Sequence, residues 1–144
     1  MRLKQLSVFL ENKPGRLSQP CKALAEAGIN ILTLSLADTE QFGILRMIVK
    51  DWKKAKSALE KAGGVVNVTD VLAIEIPDRP GGLASILGIL EPNQINIDYM
   101  YAFTLKRGGN AVMIARIEEA DRAIQCLGRQ GITVLDATTF YELT

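Results

Sequence analysis

Asn12-Lys13-Pro14-Gly15-Arg16-Leu17 and Asp78-Arg79-Pro80-Gly81-Gly82-Leu83 are the two stretches on which the fold turns. Both place Pro-Gly-x-Leu two residues behind an Asn or Asp, and they lie 78 − 12 = 66 residues apart. The same offset carries Ile29-Asn30-Ile31 onto Ile95-Asn96-Ile97. Farther along, Leu59 matches Leu127 and Gly63 matches Gly131, at an offset of 68. One Pro-Gly match is chance-level, but four landmarks in register mark a duplication. The two extra residues of the second copy are expected in a hairpin at Lys106-Arg107-Gly108-Gly109. On this reading the copies span residues 1–70 and 71–144.

Each copy reads β-α-β-β-α-β. Gln5 to Leu10 alternates with period 2 and predicts a strand. Pro14-Gly15 breaks it, and Leu17, Cys21 and Leu24 then follow a helical spacing that Gly28 ends. Pro20 conflicts with a helix that begins at Arg16, so the start is expected a residue or two later, which keeps Pro20 inside the first turn. Strands over Ile31 to Ala37 and Phe42 to Val49 flank a turn, a second helix runs from Asp51 to Ala62, and Val65 to Thr69 closes the copy. Val65 to Ile76 is nearly continuous strand-forming sequence, so no linker is expected and the two copies are expected to pack as one unit. Cys21 aligns with core Leu87 and is read as packing.

A split β-α-β arrangement puts its helices on one face of an antiparallel sheet and leaves the other face open. That second face is not clearly polar here. Tyr99, Tyr101 and Phe103 share one face of a strand, with Met100 and Ala102 on the other, and Ile44 to Val49 is apolar on both faces apart from Arg46. A sheet apolar on both sides needs a cover on both sides. The three aromatics are therefore read as an interface, most simply with a second copy of the chain.

Composition narrows the chemistry. The 144 residues are 48% hydrophobic, with 17 basic against 16 acidic side chains, no histidine and two cysteines. Without histidine there is no Ser–His–Asp or Cys–His catalytic arrangement and no metal site built on imidazole. Two cysteines are too few for a disulfide framework or a four-cysteine zinc site. A net charge of +1 gives no bulk reason to bind nucleic acid, and the strands lack the basic and aromatic residues of RNA-binding sheets. Phosphate-loop and dinucleotide fingerprints are absent. Glu118-Glu119, at the start of a predicted helix, reads as a favourable first-turn charge rather than a catalytic pair. The longest charge-free runs are 11 residues, against the roughly 20 a membrane span needs, and no secretory signal is evident. A soluble cytoplasmic protein with no cofactor, no metal, no nucleic-acid partner and no membrane association is expected.

Asn12-x-Pro-Gly-x-Leu17 with Gly28-Ile-Asn-Ile31, and Asp78-x-Pro-Gly-x-Leu83 with Ile95-Asn-Ile97, resemble the ACT family of amino-acid-sensing regulatory domains over essentially the whole chain. The resemblance implies an α+β fold of two tandem ferredoxin-like βαββαβ domains and a stand-alone, non-catalytic regulator. It also implies a ligand at an interface between neighbouring domains, touched by the first loop and by the Asn after the first helix. Those roles fall on Asn12, Gly15, Asn30, Asp78, Gly81 and Asn96, with Lys13, Pro14, Arg16, Leu17, Ile31, Arg79, Pro80, Gly82, Leu83 and Ile97 as the rest of the binding segments. Some members carry a His two residues before the loop Asn or Asp; Leu10 and Ile76 stand there instead, which suggests a more apolar wall.

The residues suit that role. A free amino acid presents a carboxylate and an ammonium. Glycine at a helix start lets free N–H groups approach the carboxylate, and Asn or Asp oxygens can accept from the ammonium. The leading expectation is a dimeric amino-acid sensor that acts on a metabolic enzyme or transporter. The alternative is a constitutive subunit similar to the small subunit of acetolactate synthase, acting through protein contact.

Overall fold

The computed structural model describes residues 1–103 and 106–144. They form two compact units, Lys4–Thr69, and Asp70–Thr144 together with Met1–Leu3.

In the N-terminal unit the elements run β1 (Leu3–Glu11), α1 (Ser18–Glu26), β2 (Thr33–Asp38), β3 (Phe42–Ile48), α2 (Trp52–Lys61) and the start of β4 (Val65–Pro77). The strand order is β2-β3-β1-β4. Leu6, Val8, Leu45 and Met47 point to one face and meet Leu24, Ala55 and Leu59 from the two helices, all of them buried. The opposite face is mixed rather than apolar: the register sets Ser7 beside Arg46 and Arg46 beside Ser35, and buried Gln5 donates to the Ser7 hydroxyl at 3.3 Å. Helix α1 starts at Ser18, which places Pro20 in its first turn, where the N–H that proline lacks would have had no helical partner. Asp51 caps α2 by accepting from the Lys54 N–H at 3.1 Å.

The C-terminal unit repeats the pattern with the end of β4, α3 (Gly82–Leu90), β5 (Tyr99–Ala102), β6 (Asn110–Arg116), α4 (Ala120–Arg129), β7 (Val134–Leu135) and α5 (Ala137–Glu142). β4 pairs with β6 on one side and β7 on the other, and β6 pairs with β5. Leu72, Ile74, Ile76, Ile86, Leu90, Ala123 and Leu127 form its buried core.

The duplication is legible bond by bond. Gln19 N–H to Gly15 O recurs as Ser85 N–H to Gly81 O, and Ile29 N–H to Leu24 O as Ile95 N–H to Leu90 O, both at +66. Gly64 N–H to Leu59 O recurs as Ile132 N–H to Leu127 O, at +68. β3 maps onto β6 end to end at +68 (42 + 68 = 110, 48 + 68 = 116), while Thr33 at the head of β2 maps onto Tyr99 at +66. The two extra residues therefore lie in the hairpin between β5 and β6.

The copies depart in two places. Helix α3 starts at Gly82, two residues ahead of the position that matches Ser18, because Ile86 stands where the first copy has Pro20. The second departure is α5, which sequence periodicity did not predict. Asp136 caps it, accepting from the Thr139 N–H at 2.7 Å, and it carries the fully buried Phe140. Phe140 meets Phe103 with ring centroids 4.8 Å apart. Met100 packs into the helix-side core, so Phe103 looks out from the opposite face. Helices thus cover more than one face of this sheet, and the cover expected over Phe103 from a second copy comes from its own chain. Tyr99 and Tyr101, on the same face, are half-buried.

Candidate ligand-binding site

The loop between β4 and α3 holds the second copy of the motif. Asp78 follows the end of β4 and donates its N–H to Gly109 O of the β5–β6 hairpin at 3.3 Å. Gly81 takes a left-handed φ of +84 before α3, a conformation that costs a side-chain-bearing residue about 1–2 kcal/mol. Gly82 is buried, and a Cβ placed there would lie 1.9 Å from Pro77 O, so the helix begins directly against the end of its own strand. Leu83 reaches back to the core.

Asp78, Arg79 and Pro80 rim an open groove walled by Ile76, Leu83, Ala111 and Met113. The Asp78 carboxylate accepts from the Lys106 ammonium. Beside this pair Arg107 reaches Glu75 at 2.6 Å, and Glu75 also accepts from the Asn110 amide at 3.1 Å. The groove combines an apolar wall, a carboxylate that already holds a primary ammonium, and the N-terminal end of a helix. Ammonium, carboxylate and apolar side chain could all be accommodated there.

The first copy of the motif is arranged differently. Asn12 ties the loop to the β2–β3 turn, its side-chain amide donating to Glu40 O at 2.9 Å and its backbone N–H to Gln41 O at 2.8 Å. Lys13 pairs with Glu11 at 2.8 Å, and the ammonium holds that carboxyl below the usual carboxylate range. Pro14 is exposed, Gly15 has φ +86, and Leu17 is 40% exposed. Arg16 lines a separate cavity between α1 and α2.

The Asn residues after the helices do not share these linings. Asn30 is exposed, while Asn96 donates to Asp98 at 3.3 Å. Their neighbours Ile31 and Ile97 pack against the cores. Reading the sequence missed Lys106, Ala111 and Met113. Their partners lie 28 or more residues away, so only the pairing of β4 with β6 reveals them. Among the described residues, no group of three His, Cys, Asp or Glu side chains could hold a metal ion, and no helix is long and apolar enough to cross a membrane.

A sequence model of the ACT domain pair matches residues 1–142. The chain belongs to the ACT domain pair family. Among solved structures, this ACT domain pair is similar to protein BT0572 from Bacteroides thetaiotaomicron, at 41% identity over 99% of this chain and 98% of that one, with a TM-score of 0.90. It shares its fold with the regulatory subunit of aspartate kinase from Thermus thermophilus, at 17% identity over 88% of this chain and 91% of that one, TM-score 0.63. The corresponding subunit from Thermus flavus gives 19% identity, 88% and 90% coverage and a TM-score of 0.61. None of the curated proteins matches the chain.

Proposed function

We propose that this ACT domain pair is a non-catalytic regulatory protein that binds a free α-amino acid at the Asp78–Leu83 loop. The observation that carries the reading is the Asp78 carboxylate, which already takes an ammonium group at the rim of an apolar-walled groove. A ligand's α-ammonium would take the place of Lys106, its carboxylate would lie toward Arg79 and the start of α3, and its side chain would cover Leu83 and Met113. Family membership and the aspartate kinase regulatory subunits that share the fold support a regulatory role. The absence of histidine fits a module that performs no acid–base chemistry. Homodimerisation, a cytoplasmic setting and a metabolic enzyme or transporter as the regulated partner belong to the same proposal.

Thermal denaturation in the presence of each of the twenty amino acids tests it. A ligand at about 100 times its Kd stabilises by about 2.7 kcal/mol, so Tm rises for a selected few. The rise is lost in Asp78→Asn, and Asn30→Ala and Asn96→Ala test the two family positions outside the groove. No rise with any amino acid refutes the proposal.

A second reading, a constitutive subunit acting through protein contact, is favoured by Leu34 and Leu36. They stand 51% and 53% exposed on edge strand β2, and an apolar edge invites pairing. Co-purification of a stoichiometric large subunit, with no response to amino acids, would decide for it.

A further inference from the structure

The two copies treat the sheet face opposite their core helices differently. In the second copy that face is closed by its own chain. Helix α5 sets Phe140 on Phe103, and Val112, whose carbonyl accepts from the Phe103 N–H at 2.8 Å, is fully buried. The first copy forms no such helix, because the matching residues 68–74 (136 − 68 = 68, 142 − 68 = 74) continue as strand in β4. The positions that match Phe103 and Val112 are Ala37 and Ile44 (103 − 66 = 37, 112 − 68 = 44). Both are only half-buried.

Two phenylalanines complete this open end of the face. The register sets Phe9 and Ala37 on either side of Ile44, and Phe42 lies two residues along β3 from Ile44. Phe9 is 43% exposed and Phe42 55%. They stand where the second copy has Glu75 and Asn110 (9 + 66 = 75, 42 + 68 = 110), whose side chains hydrogen-bond to each other at 3.1 Å. The first copy thus carries two rings where its twin carries a polar pair, on the face that its own chain leaves uncovered. Aromatic residues are enriched where proteins meet, and an apolar patch left exposed marks such a place.

Size and surroundings decide what fits. The patch spans three strands, about 10 Å across, which is about the diameter of one helix. A second sheet would need to cover about 800 Å² per partner. Next to Ile44, however, the face turns polar, with Ser7, Arg46 and Ser35 in one row. The second copy shows the matching solution, a short helix with an aromatic anchor. We propose that the patch of Phe9, Ala37, Phe42 and Ile44 is the docking site for a short amphipathic helix of the protein that this chain regulates. That helix lays an aromatic anchor over Ile44, as α5 lays Phe140 on Phe103. The proposal rests on the reading of the chain as a regulator of another protein, and not on amino-acid binding at Asp78.

A displayed library of helical peptides, selected on the purified full chain, tests it. The expected binders carry one aromatic residue on an apolar helical face and shift the backbone amides of Phe9, Ala37 and Ile44 in the ¹⁵N-labelled chain. Phe9→Thr and Phe42→Thr should each weaken them by about tenfold or more. Both rings are exposed and threonine suits a strand, so the melting curve of each variant should stay unchanged. Asp78→Asn should leave peptide binding intact, and binding that persists there supports the face even if the Asp78 groove takes no amino acid. A library that yields no binder, or binders indifferent to both threonine variants, overturns the proposal without touching the amino-acid titrations. A dimer in light scattering that Phe42→Asp separates also overturns it, since a second copy then holds the face.

Discussion

Replacing Gly82 with alanine is a sensitive test of how the loop and helix α3 are built. The new Cβ would lie 1.9 Å from Pro77 O, whereas real Cβ contacts essentially never fall below 3.0 Å. The helix start must therefore move by at least 3.0 − 1.9 = 1.1 Å relative to the end of β4. The obstacle is a backbone carbonyl, which cannot turn aside as a side chain can. Overpacking of this kind costs about 1–3 kcal/mol, and alanine returns about 0.5–1 kcal/mol through its better helix propensity. A net destabilisation of up to about 2.5 kcal/mol is expected from these terms. Gly88, in the same helix, has open space around its would-be Cβ, so Gly88→Ala should stabilise by about 0.5–1 kcal/mol. The pair of opposite signs removes any explanation from glycine's backbone entropy alone. Urea denaturation measures both, and the aromatic residues separate the units. The one tryptophan, Trp52, lies in the N-terminal unit, and the tyrosines Tyr99, Tyr101 and Tyr141 all lie in the C-terminal one. The Gly82 effect should appear first in the tyrosine signal. A Gly82→Ala protein stabilised to the same extent as Gly88→Ala would refute the close contact.

Phe140→Ala should cost about 3–5 kcal/mol in the same assay, since the ring is fully buried and packs on Phe103; a loss below 1 kcal/mol, about what a surface change causes, would mean that α5 does not cover that face. Asp136 is held below its ordinary pKa by the Thr139 N–H it accepts from. Its ionised form therefore stabilises α5 fully above the unfolded pKa, about 3.9, and that stabilisation is lost as pH falls through the lower folded value. The stability of the parent relative to Asp136→Asn should fall over that acid range and stay constant from pH 5 to 8, as denaturation midpoints at each pH would reveal. Lys106 competes for Asp78, so Lys106→Ala should tighten amino-acid binding by up to about fivefold, the scale of an exposed ion pair; weaker binding would mean that Lys106 helps to hold the ligand.

The sequence reveals the repeat because offsets of 66 and 68 are properties of the chain, and the backbone hydrogen bonds reproduce them. The delayed start of α1 is legible for a similar reason: Pro20 lacks an N–H wherever it sits. Helix α5 is not legible, since six residues supply too little period to read, and its anchor Phe140 has meaning only beside Phe103, 37 residues earlier. Tyr99, Tyr101 and Phe103 are correctly read as one face, but what covers such a face is a long-range fact. Asp78 stands out from its motif, whereas its hold on Lys106 depends on the β5–β6 hairpin folding back. Arg16 opposite Gly82 is visible in the aligned copies; that no Cβ fits at Gly82 is not, since it needs the position of the Pro77 carbonyl.

Calorimetric titration of each of the twenty amino acids into the purified full chain tests the central claim most directly. Saturable heat from a small, chemically related subset, abolished or strongly weakened by Asp78→Asn, is the predicted result. Titrations in which no amino acid gives saturable heat would contradict the account.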